Sequence, residues 1–173
     1  MRLRDATPDD IATLEHWDRQ PHVIESGGAD DQFDWQYEIP RKLDWREQLI
    51  AEIDGRAIGI VQIIDPELEE SHYWGDVGSG FRAIDIWIGE ARDLGRSYGT
   101  SMMRLALERC FASDDVNAVL IDPLESNTRA IRFYERCGFT PVERRRFGED
   151  DCLVMQLERD AWASRQRRRR TGG

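Results

Sequence analysis

The chain has 173 residues, a hydrophobic fraction of 40% and six tryptophans, enough for one domain with a buried core and little room for a second. Its net charge of -10 argues against a nucleic-acid partner and suits a cationic one, whose local concentration an acidic surface raises. No apolar run approaches the ~20 residues that span a bilayer, and the opening "MRLRDATPDD" lacks a secretory signal's apolar stretch, so no membrane partner and a cytoplasmic location are expected.

"LRDAT" reads as a first strand, and "TPDD" as a helix start with Thr7 as N-cap, Pro8 in the first turn and two aspartates favourable to the helix dipole. Ile11, Leu14 and Trp17 carry that helix's apolar face. From Arg19 to Arg46 the pattern is irregular and rich in aromatics and acids, with a second helix expected inside it. "QLIAEIDGRAIGIVQIID" is a hairpin: two apolar strands flank Asp54-Gly55, the pair a tight primed turn requires. "PELEESHYWGDVGSG" reads as loop, and "RAIDIWIGE" as a third long strand.

A helix is expected from about Gly99 to Phe111, with Met102, Met103, Leu105, Ala106, Leu107 and Cys110 supplying its buried side. "NAVLIDP" is a nearly continuous apolar strand, as expected when both sheet faces are covered. "SNTRAIRFYERCGF" is a helix ended by Gly138, and "RRRFGEDDCLVMQLE" a last hairpin turning near Gly148. Together these make a mixed α/β single domain over residues 1–160. The arginine-rich 161–173 segment reads as a disordered basic tail. Cys110, Cys137 and Cys152 lack paired metal spacing and read as free thiols; with His16, His22 and His72 they do not compose a zinc ligand set, so no metal is expected.

The helix start "GRSYGTS" is the stretch that asks for a chemical reason. Small residues at a helix start carry an entropic cost. A helix N-terminus also exposes unpaired N–H groups and about half a positive charge, and where side chains are small an anion reaches that backbone directly. Arg96 adds a full charge. Arg96, Ser97, Tyr98, Gly99, Thr100 and Ser101 can therefore hold a phosphate or diphosphate. The stretch lacks the Gly-Lys-Ser/Thr ending of a nucleotide P-loop and the spacing of the dinucleotide fingerprint. Taken alone, it also fits an ordinary glycine-containing loop.

Arg96, Gly99 and Ser101, followed in order by Asn127, Ala130, Tyr134, Gly138 and Phe139, form two motifs in the sequence R-x-x-G-x-small, then N-x-x-A-x-x-x-Y-x-x-x-G-F. Strand, first motif, helix, strand, second motif: this order resembles the GNAT acetyltransferase superfamily. Within it, "AIDIWIGEARDLGRSYGT", "IDPLESNTRAIRFYERCGF" and "HWDRQPHVIES" are similar to segments of the aminoglycoside 6'-N-acetyltransferases. The chain departs from them at Ser26-Gly27-Gly28, where a tryptophan pair is common, and at Ser97 and Ser101, where glycine or alanine is more usual.

The resemblance implies a GNAT fold: a twisted, mostly antiparallel central sheet splayed at the cofactor site, with helices on both faces. It implies acetyl-CoA as acyl donor, its pantetheine lying between "IDIWIGE" and "AVLIDP", with backbone N–H groups of Trp87 or Ile88 on the acetyl oxygen. Tyr134 becomes the general acid, with a core tyrosine as the alternative. Asn127 caps its helix, bonds the cofactor arm, or does both. Asp85 and Asp122 become acidic residues that bind ammonium groups, take the proton directly or pass it through water; Asp122 is the catalytic candidate. Glu25 joins them in substrate binding. Asp30, Asp31, Asp34, Glu67, Glu69 and Glu70 enrich the rim in negative charge or are simply solvated, and Trp17, Trp35, Trp74 and Trp87 offer flat surfaces to a ring, with core or helix-packing roles the alternative for at least two of them. The implied reaction acetylates a primary amine of a small, cationic, aminoglycoside-like acceptor. Protein or siderophore N-acylation and non-catalytic acyl-CoA binding are the alternatives, and the chain is expected to be a monomer or homodimer.

Overall fold

The computed structural model describes residues 1–27 and 33–171. Strand β1 (Arg2–Asp5) leads through a 3₁₀ turn (Pro8–Asp10) into α1 (Ile11–Asp18), α2 (Pro21–Ile24) and α3 (Trp35–Glu38). Then come β2 (Arg46–Ile53), β3 (Arg56–Ile64), β4 (Phe81–Ile88), α4 (Tyr98–Cys110), β5 (Ala118–Ile121), α5 (Thr128–Cys137), β6 (Thr140–Phe147), β7 (Asp150–Glu158) and α6 (Arg159–Thr171). In place of one helix between Arg19 and Arg46, the described residues there form two short ones. Pro21 starts α2, and the Asp34 carboxylate caps α3 by accepting the Tyr37 N–H (3.2 Å).

The seven strands lie in the order β1-β2-β3-β4-β5-β7-β6, antiparallel except for the parallel β4–β5 pair. The β2–β3 turn places both Asp54 (φ 51°) and Gly55 (φ 79°) in the left-handed region, the geometry whose twist matches the flanking strands. Two residue pairs beyond it, Ala51 opposes Gly59 while Glu52 opposes Ala57, so Ile58 is the extra residue of a bulge. The bulge shifts the alternation. Ile58 joins Val61 and Ile63 on one face of the sheet, and Ile60 goes to the other.

On the first face, Met102, Met103, Ala106, Leu107 and Cys110 of α4 are buried at helical spacing against Leu49, Val61, Val119 and Met155. Full burial of one such large apolar side chain is worth about 1.5–3 kcal/mol. Burial also pushes the Cys110 thiol up to about 12, so this cysteine is a core residue. On the second face, Leu14, Trp17 and Trp35 cover Ile50 and Ile60, and Trp74 of the 65–80 loop covers Ala83, Leu120 and Val154. Arg4 fastens the start of α1 to β2 by bonding both Asp10 (2.7 Å) and Glu52 (2.9 Å).

The basic C-terminal segment corrects the expectation of a disordered tail: it is helix α6. Trp162 stacks on Phe111 with ring centroids 6.1 Å apart, and Arg159 donates to the carbonyls of Val116 (2.7 Å) and Phe111 (3.1 Å). The Arg165 guanidinium reaches the last turn of α5 and donates to the Arg136 carbonyl (2.6 Å), a favourable place for a cation.

What positions the site is the divergence of β4 and β5. They pair only from Phe81–Ala83 to Ala118–Leu120, whereas β4 stays paired with β3 as far as Ile88. From Ile84 onward one edge of β4 faces a gap in the sheet.

Candidate active site

A cavity of about 640 Å³ opens at this gap, walled by Ile86, Trp87 and Ile88 of β4, by the start of α4, and by one face of α5. The backbone of β4 is polarised across the strand. Gly89 donates its N–H to Ile58 O (2.9 Å) on β3, and a side chain at Gly59 would strike Trp87 O, so Trp87 and Gly89 turn their peptide groups toward β3. By the alternation of an extended chain, Ile86 and Ile88 turn theirs toward the gap. Of the two backbone donors expected from sequence, Ile88 thus faces the cavity and Trp87 faces β3.

The start of α4 has a conformation few residues adopt. Gly95 (φ 73°) and the N-cap Ser97 (φ 62°) are both left-handed, and no side chain caps the helix. The first amide to find a carbonyl is that of Ser101, on Ser97 O (3.1 Å). Tyr98, Gly99 and Thr100 carry the orphan donors of the first turn, and all three line the cavity. A methyl group at Gly99 would meet only Phe133 (3.6 Å) and Ile88 Cδ1 (3.8 Å), ordinary van der Waals contacts. Packing alone therefore does not demand glycine here. Arg96 and Ser101 lie outside the cavity wall, and Arg96 is exposed.

The opposite wall is α5. Asn127 caps it, its Oδ1 accepting the Ala130 N–H (3.0 Å). Tyr134 is half-buried between Phe133 (5.2 Å) and Phe139 (6.0 Å). Burial first, and then the carboxylates of Asp85 and Asp122, push its phenol well above the usual tyrosine range. The carboxylates of both strand-end aspartates thus act electrostatically on Tyr134, although neither lines the cavity itself. Asp122 accepts a hydrogen bond from the Tyr73 hydroxyl (2.7 Å), and Tyr73 lies flat on Phe147 (4.3 Å, 8°). That loop tyrosine was not singled out from sequence.

Glu25 lines the cavity. Of the proposed acidic rim, Asp34 is a helix cap, Glu69 takes the N–H groups of Ser71 and Tyr73, Glu70 pairs with Arg41, and Glu67 is exposed. Asp30 and Asp31 lie outside the described residues. Trp17, Trp35 and Trp74 belong to the core; only Trp87, half-buried beside Phe33, reaches the cavity. Sequence reasoning missed His22, Phe133, Arg129 and Arg136 on the wall. His22 Nε2 faces Ile88 O at 2.9 Å; a carbonyl only accepts, so Nε2–H donates, and the buried Nδ1 has no hydrogen-bond partner among the described residues. Among the described residues no helix is long and apolar enough to cross a membrane.

The sequence profile of the acetyltransferase (GNAT) domain matches residues 6–147. The chain is 31% identical over 153 residues to an aminoglycoside N(6')-acetyltransferase type 1 of Klebsiella pneumoniae, covering 80% of this chain and 73% of that protein. It superposes with a TM-score of 0.85 on the crystal structure of aminoglycoside acetyltransferase AAC(6')-Ib in complex with coenzyme A, at 27% identity over 95% of this chain and 98% of that one. A second structure, of the same enzyme with coenzyme A and kanamycin, gives 0.84 at 28% identity, with the same coverage of both chains. The chain belongs to the GNAT acetyltransferases, with the aminoglycoside 6'-N-acetyltransferases among its relatives.

Proposed function

We propose that this chain is an acetyl-CoA-dependent N-acetyltransferase acting on a primary amine of a small polycationic acceptor of the aminoglycoside class. The observation that carries the reading is the meeting, on one cavity, of an uncapped helix N-terminus at Tyr98–Thr100 and a phenol held protonated at Tyr134. The acidity of the chain suits a cationic acceptor, and the relatives act on aminoglycosides by name.

Acetyl-CoA supplies an already activated thioester, so no covalent enzyme intermediate is required. The N–H groups of Tyr98, Gly99 and Thr100 hold the diphosphate, and the missing side chain of Gly99 lets it approach; Arg96, exposed at the entrance, attracts the anion. Ile88 N–H, on the free edge of β4, takes the acetyl oxygen as charge develops there. Glu25, Asp85 and Asp122 attract the ammonium groups of the acceptor. The amine nitrogen forms a bond to the carbonyl carbon and the C–S bond breaks, its electron pair going to sulfur. Of the two protons the ammonium loses, one reaches that sulfur by way of Tyr134 O–H and the other leaves to solvent through Asp122.

Thiol release from acetyl-CoA, followed with kanamycin, spermidine and a lysine peptide, tests the reading: release with kanamycin at the lowest KM is expected. Release with the peptide alone, or with none of the three, overturns it. Tyr134→Phe is expected to lower kcat about a hundredfold or more, the usual scale for loss of a general acid, while the Kd for CoA measured by calorimetry stays within about threefold.

A further inference from the structure

The described arginines fall into two groups. Most of those on strands and on α4 carry a carboxylate: Arg104 holds Glu108, Arg109 holds Glu47, Arg144 holds Glu125 and Arg145 holds Glu143. Arg129 and Arg136 of α5 are exposed and, among the described residues, have no carboxylate partner, although acidic residues outnumber basic ones in this chain by 34 to 24. Both nevertheless line the cavity.

Helix geometry says what they flank. Phe133 is the residue of α5 that faces Gly99. Arg129 precedes it by four residues and Arg136 follows it by three, so each lies about one turn away along the same face, on opposite sides of the α4 N-terminus. Arg129 lines the cavity with Ser126 and Asn127 at the N-terminal end of α5. Arg136 is at the other end of α5: with Thr100 it also lines a small cleft between α4, α5 and α6, shared with Cys137 and Trp162. Its backbone is pinned there by Arg165. A helix terminus contributes about half a charge. That is too little for CoA, which bears a diphosphate and, farther out on the ribose, a doubly ionisable 3'-phosphate.

Resting on the function proposed above, we propose that Arg136 reads the 3'-phosphate of CoA and makes this enzyme discriminate CoA from dephospho-CoA. A guanidinium suits the task because its planar donors bond a phosphomonoester in pairs. Arg129 stands on the diphosphate side and carries no such discrimination.

The test compares acetyl-CoA with acetyl-dephospho-CoA as donors, in kcat/KM, and CoA with dephospho-CoA by calorimetry. The unaltered enzyme is expected to favour the 3'-phosphorylated ligand about tenfold in both. Arg136→Ala is expected to erase that preference by weakening only the phosphorylated ligand, with Arg136→Lys recovering part of it. Arg129→Ala should weaken both donors alike. Arg132→Ala, on the same helix but off the cavity wall, should change neither. A preference that survives Arg136→Ala, or none in the unaltered enzyme, overturns the assignment. Binding of CoA with no turnover fails the proposed reaction but leaves the calorimetric comparison decisive, and absence of CoA binding fails both.

Discussion

Helices α4 and α5 both begin at the same cavity, and they deal with the same physical problem in opposite ways. Each has a first turn of N–H groups without a carbonyl to bond. At α5 the chain solves this internally, with Asn127 Oδ1 on the Ala130 N–H at 3.0 Å. At α4 it does not: Ser97 is left-handed at the N-cap position, its side chain makes no cap bond, and Gly99 adds no side chain over the amides. A capped start serves the stability of the helix. An uncapped start carrying glycine and small hydroxyl residues on a cavity wall leaves room, in the proposed binding mode, for an acceptor from outside. The contrast supports the proposed seat of the anion at α4 and a mainly structural part for the start of α5.

The sharpest way to break that contrast is to give α4 an anion of its own. Thr100→Asp puts a carboxylate within the first turn, where the helix dipole favours it, so the melting temperature is expected to hold or rise. In the proposed binding mode the same carboxylate would face the diphosphate. Two unit charges about 4 Å apart at an effective dielectric near 20 repel by about 4 kcal/mol, and solvent at this exposed position trims the effect. CoA affinity by calorimetry should fall about a hundredfold. A Thr100→Asp protein that still binds CoA normally would show that the phosphates sit elsewhere. Gly99→Ala is the milder version. The new methyl fits against Phe133 and Ile88 and helps the helix, so the fold should be unharmed and up to about 3 °C more heat-stable. It stands where the ligand approaches, so CoA binding should weaken about tenfold. Loss of stability together with binding would mean that glycine is there for packing.

Parts of this arrangement were legible in the sequence and parts were not, and the dividing line is the range of the information. Asp54-Gly55 specifies its turn locally, Asn127 and Gly138 bound α5 locally, and the small residues from Gly95 to Ser101 announce an open helix start. The gap itself depends on where β4 and β5 stop pairing, a register between strands that no local pattern carries. The position of α5 over α4 is of the same kind. It makes Arg129 and Arg136, rather than Arg96, the cations on the cavity wall. Tyr73 reaches Asp122 only because the 65–80 loop folds back over β5 and stacks its ring on Phe147. In α6, arginine-rich composition suggested disorder, but one tryptophan and two backbone-bonding arginines, Arg159 and Arg165, anchor it.

The smallest expected effects concern the other half of the contrast. Asn127→Ala removes the α5 cap and should cost about 1 kcal/mol, or some 2–4 °C of melting temperature for a domain of this size. Asn127→Ser keeps a side-chain acceptor for the Ala130 N–H but lacks the amide donors, and should restore most of that loss. If the residue acts only as a cap, the KM for acetyl-CoA stays within about threefold in both variants. The two roles separate in the serine variant. A protein with normal melting and a tenfold higher KM would show that the Asn127 amide also holds the cofactor arm, so that both helix starts, and not α4 alone, meet the ligand.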